Sequence, residues 1–75
     1  MVDEKYAHEE AERMQTALEL KAVGGANIHL ARTLGYYLYY MTDREDWETT
    51  RDYADRAIVS GDFTELRKYF YRQKG

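Results

Sequence analysis

Glu4, His8 and Glu12 recur at every fourth position, which places an imidazole between two carboxylates on one stripe of a helix. Such a donor set suits several divalent metals. The stripe turns away from the side carrying Met14 and Leu18, however, and a working metal centre needs a desolvated pocket with supporting hydrogen bonds. These residues are therefore expected to form a solvated acidic face, and no metal ligand is assigned. A nucleophilic triad would need Ser60, the only serine of the chain, which lies in a turn far in sequence from His29. Gly24-Gly25 could present backbone N–H groups to an anion, yet no Lys-Ser/Thr pair follows to complete a phosphate loop. No catalytic residue and no cofactor are assigned, and the chain is not expected to be an enzyme.

The segment from Ile28 to Met41 is more informative. No acidic residue occurs between Val23 and Thr42. At about 100° per residue, Ile28, Leu30, Ala31, Leu34, Gly35, Leu38 and Met41 share one apolar arc. The opposite side carries His29, Arg32, Thr33, Tyr36 and Tyr40, flanked by Tyr37 and Tyr39. A solvated helix face would carry Glu and Lys there. This face is expected to be covered by a neighbouring helix, by a second copy of the chain or by another protein. Tyr and Arg dominate binding hot spots, so His29, Arg32, Tyr36, Tyr37 and Tyr40 are the candidate partner-binding residues.

A second candidate surface lies near the C-terminus, where Arg67, Lys68, Tyr69, Tyr71, Arg72 and Lys74 interleave cations with aromatic rings. That arrangement can pair phosphates and stack bases, so weak nucleic-acid binding is the alternative function. Against it, basic residues in a last helical turn are expected for the helix dipole alone, and Phe70 belongs to an apolar stripe. The net charge of −3 also argues against a general binder of phosphate backbones. The charge is uneven. Residues 1–12 hold five acids and one Lys, whereas residues 66–75 hold four basic residues and no acid.

A chain of 75 residues is expected to form a single domain spanning 1–75. It contains no cysteine, so disulfides and thiolate metal sites do not arise and a reducing, cytoplasmic setting is expected. The acidic N-terminus has no apolar run, so neither a leader nor a membrane partner is expected.

With no proline, the five glycines supply the main punctuation, and four helices fit between them, at about 3–23, 27–41, 43–59 and 62–72. Ala7, Ala11, Met14, Leu18 and Ala22 follow the period of one helix face. Asp43 with Asp46, and Asp62 with Glu65, are capping signatures that open the third and fourth helices. Trp47, Thr50, Ala54, Ala57 and Ile58 form the inner face of the third helix, and Phe63, Leu66 and Phe70 that of the fourth.

The fold class is all-α, a compact four-helix arrangement of two helical hairpins. The alternative is a helical stack: from Ala54 and Ala57 through Gly61-Asp62-Phe63 to Tyr69 the chain resembles a TPR repeat, which implies stacked hairpins. Few large apolar residues are available for four helices, so some tyrosine rings must be structural and further burial is expected from association. The expected function is that of a small cytosolic protein–protein interaction module, homodimeric through its tyrosine-rich second helix. By analogy with small acidic helical proteins, a regulator or inhibitor of a partner protein is the role this implies.

Overall fold

The computed structural model describes residues 3–74, with side-chain surroundings through residue 72. Four helices follow one another: α1 (Glu4–Lys21), α2 (Gly25–Tyr40), α3 (Arg44–Ser60) and α4 (Thr64–Lys74). The all-α class and the compact four-helix arrangement are as expected. Helix ends differ from expectation by up to two residues, for local reasons.

Asp3 caps α1 by accepting a hydrogen bond from the Tyr6 backbone N–H at 2.9 Å. The helix stops at Lys21, two residues earlier than expected, because Ala22 is extended while its N–H still bonds the Leu18 carbonyl. Gly24, at φ 90°, makes the reversal. Its carbonyl accepts from the Ile28 N–H, so α2 starts at Gly25 rather than Asn27. Asp43 caps α3 by accepting from the Asp46 N–H at 2.9 Å. Gly61, at φ 76°, ends α3 in the left-handed conformation. Asp62 accepts from both the N–H and the hydroxyl of Thr64, and α4 begins there rather than at Asp62 itself.

The hairpins α1–α2 and α3–α4 meet mainly where α3 lies on α1, with a smaller contact between α3 and α2. Met14 and Leu18 of α1, Leu30, Leu34 and Leu38 of α2, Trp47 and Ala54 of α3, and Leu66 and Phe70 of α4 close the core. Each lies on the apolar stripe of its helix, which is why a 3.6-residue period recurs in all four.

Two polar contacts, made by Trp47 and by Glu10, fix the hairpins relative to one another, and a third, between Thr50 and Tyr69, ties α4 to α3 within the second hairpin. Trp47 donates its indole N–H to the Leu38 carbonyl at 2.8 Å, satisfying one of the last four carbonyls of α2 that have no partner within the helix. The Thr50 and Tyr69 hydroxyls hydrogen-bond at 3.1 Å, and Tyr69 stacks on Tyr53 with centroids 4.4 Å apart. Glu10, buried on the inward side of α1, accepts from Arg13 at 2.6 Å and from Arg51 of α3 at 2.7 Å. The Arg13 hydrogen bond and then that of Arg51 outweigh the opposing effect of burial and hold the Glu10 carboxyl down at about 2. Glu10 falls three residues after Ala7 and four before Met14, at the edge of the apolar stripe, whereas its exposed neighbours Glu9 and Glu12 lie on the far side of the helix.

Among the described residues, no helix is long and apolar enough to cross a membrane.

Candidate functional site: the tyrosine groove between helices 1 and 2

Gly35 brings α1 and α2 together. A Cβ placed on it would lie 2.7 Å from the Gln15 Cβ, well inside ordinary contact, so only glycine fits without moving a helix. Glycine in a helix interior costs roughly 1 kcal/mol relative to alanine. Its retention in the middle of α2 therefore reports the close approach. Gly35, Ala11 and Gln15 line the groove where the helices meet, and the larger side chains stand around them.

The groove has a volume of about 390 Å³. Arg32, Tyr36, Tyr39 and Tyr40 line it from α2, and Glu12 joins Ala11 and Gln15 from α1. Tyr36 and Tyr40 are 67% and 62% exposed, with ring centroids 4.5 Å apart. Neither ring is absorbed by the core of the single chain. Tyr39 is held differently: His8 of α1 stacks flat on it at 3.7 Å and 2°. A second groove of about 260 Å³ opens beyond, between Glu4, His8 and the Tyr39–Tyr40 pair.

Arg32 Nε donates to Glu19 Oε1 at 2.8 Å, which ties α2 to α1 at one end of the tyrosine groove. Arg32 is the only Lys, Arg, Asp or Glu within α2. The exposed side of this helix therefore presents aromatic rings and hydroxyls to its surroundings, with a single cation.

Compared with protein-family models, with curated proteins and with solved structures, the chain finds no match.

Of the residues singled out in the sequence, the groove brings together Arg32, Tyr36 and Tyr40. Two others are placed elsewhere. His29 is exposed one turn before Arg32, with its ring nitrogen 3.4 Å from the Thr33 hydroxyl, and does not line the groove. Tyr37 points to the other side of α2, where its ring meets Phe70 edge-on at 5.5 Å. Burial raises the Tyr37 phenol above its usual range, with Asp46, Tyr69 and Asp43 adding to the effect. Tyr37 therefore packs against α4 and does not line the groove.

The basic aromatic stretch is similarly divided. Tyr69 is only 8% exposed, and its ring is stacked on Tyr53 within the chain. Arg67 hydrogen-bonds Asn27 at the start of α2. Lys68 lies 3.9 Å from Glu65. Tyr71 and Arg72 are exposed, and the Lys74 side chain lies outside the described residues. Burying Tyr69 and Phe70 breaks the alternation of ring and cation that suggested base stacking.

The groove residues missed in the sequence are Ala11, Glu12, Gln15, Gly35 and Tyr39, the last noted only as flanking the tyrosine face. Gly35 carried a signal in being a glycine inside an otherwise strong helix. Glu12 and Gln15 carried none, since only the pairing of α1 with α2 sets them beside the tyrosines.

Proposed function

We propose that this protein is a small protein–protein interaction module whose working form is a homodimer, joined through the Tyr36–Tyr40 side of α2 and the adjoining groove. It acts by binding rather than by catalysis, in the cytoplasm, as a regulator or inhibitor of another protein. The observation that carries the dimer is the pair of tyrosine rings left more than 60% exposed on a helix with one charged residue. A surface of this composition resembles the buried centre of an interface, where Tyr and Arg are enriched and acids depleted. A 75-residue chain also gains from association, because its own core is small.

Sedimentation equilibrium at about 100 μM, a concentration at which a micromolar dimer is nearly saturated, tests the reading. A species of twice the 8.9 kDa chain mass is expected. A monomer at that concentration overturns the homodimer and leaves the tyrosine face to a different protein.

A further inference from the structure

The charges around the tyrosine groove point to how two copies would meet, an inference that rests on the homodimer reading above. Gln15 stands opposite Gly35, and Glu19 pairs with Arg32, so α1 runs antiparallel beside α2. Glu12, one turn before Gln15 and two turns before Glu19, therefore sits toward the Tyr39 end of the groove, with Arg32 at the other end. Tyr36 lies between these levels.

Neither charge is fully used within the chain. Arg32 engages Glu19 through Nε, and its two terminal amino groups make no hydrogen bond among the described residues. Glu12 is exposed and has no hydrogen-bond or ion-pair partner among them. The strip thus carries a half-used guanidinium fork at one end, an unpaired carboxylate toward the other and an exposed aromatic ring between them. Such a surface is complementary to itself when reversed.

Twofold dimers require that complementarity, because the same patch serves on both sides. An axis crossing the strip midway between Arg32 and Glu12 brings the two Tyr36 rings together and satisfies both charges twice. A dimer that instead set Arg32 beside its own copy would place like charges together, which costs affinity. We infer that two copies dock through this strip about a twofold axis, with Arg32 of each pairing with Glu12 of the partner subunit across a Tyr36–Tyr36 contact.

The test is a charge-swap mixing experiment followed by sedimentation equilibrium and native mass spectrometry. Arg32→Glu alone and Glu12→Arg alone each place like charges together at both ends of their homodimer, and each is expected to weaken dimerisation by about tenfold or more. Mixed in equal amounts, the two variants form opposite-sign pairs at both ends. The mixture is expected to yield mainly the heterodimer, with affinity near that of the wild type. Glu12→Gln removes the pair without adding repulsion and breaks no contact within the chain, so an intermediate weakening is expected even if Arg32→Glu perturbs the fold. A wild-type dimer whose affinity is unchanged by Glu12→Arg and Glu12→Gln, or a mixture with no heterodimer preference, overturns this pairing while leaving the homodimer standing. A monomeric wild type overturns the homodimer reading itself.

Discussion

Gly35 of α2 faces Gln15 of α1 so closely that an added Cβ would come within 2.7 Å of the Gln15 Cβ. This approach sets the distance between the helices and forms the floor beneath Tyr36 and Tyr40. Replacing Gly35 with Ala raises intrinsic helix propensity by roughly 1 kcal/mol, but the clash involves an atom fixed to the α1 backbone, which a rotamer change cannot move. Overpacking of this kind costs about 1–3 kcal/mol. The expected outcome of Gly35→Ala is a net loss of about 1 kcal/mol in urea unfolding, whereas a gain in stability would show that the helices can separate freely here.

Glu10 gives stability a pH signature. Its carboxyl is held near 2, below the ordinary 4.5, chiefly by Arg13 and then by Arg51. A depressed carboxylate contributes its full stabilisation above the unfolded-state value and loses it as pH falls toward the folded-state value. Glu10→Gln is expected to cost about 1–2 kcal/mol at pH 7, the buried-pair penalty reduced because both arginines are partly exposed. The difference between the two proteins in denaturant midpoint should shrink between about pH 4.5 and pH 2 and vanish below. A difference constant across that range would show that the carboxylate charge contributes nothing.

Trp47 can be tested without emptying its pocket. Trp47→Phe preserves an aromatic ring but removes the N–H bonded to the Leu38 carbonyl. Leaving that buried carbonyl unpaired and reducing ring volume together are expected to cost about 2–3 kcal/mol in thermal unfolding followed by circular dichroism. An unchanged melting temperature would mean that the α2–α3 corner does not depend on this bond.

The helices are legible in the sequence because each carries one apolar stripe and all three junctions between them carry caps or glycines, such as Gly24, Asp43 and Gly61. The tyrosine side of α2 stood out by what it lacks, namely acids. Periodicity on a single helix puts Tyr36 opposite the apolar stripe and Tyr37 at its margin, and the position of Phe70 on α4 decides that the marginal ring packs inward. The same holds for Tyr69, whose local context of cations suggested exposure until Tyr53 and Thr50 closed over it. Glu10 sits at the edge of the α1 stripe, but its partner Arg51 is 41 residues away, so the pair is not visible in the spacing of α1 alone. Patterns within a helix give the face on which each residue lies, and contacts between helices give what it packs against.

Association through the exposed tyrosines is open to sedimentation equilibrium of the wild type beside the Tyr36→Ser/Tyr40→Ser double variant, with circular dichroism as a check on folding. Because both rings are largely exposed in the single chain, the variant should keep its helical spectrum. The wild type is expected to sediment as a dimer at about 100 μM and the variant mainly as a monomer, a loss of roughly a thousandfold in affinity for two hot-spot tyrosines at about 2 kcal/mol each. A dimer that survives both substitutions would contradict the account.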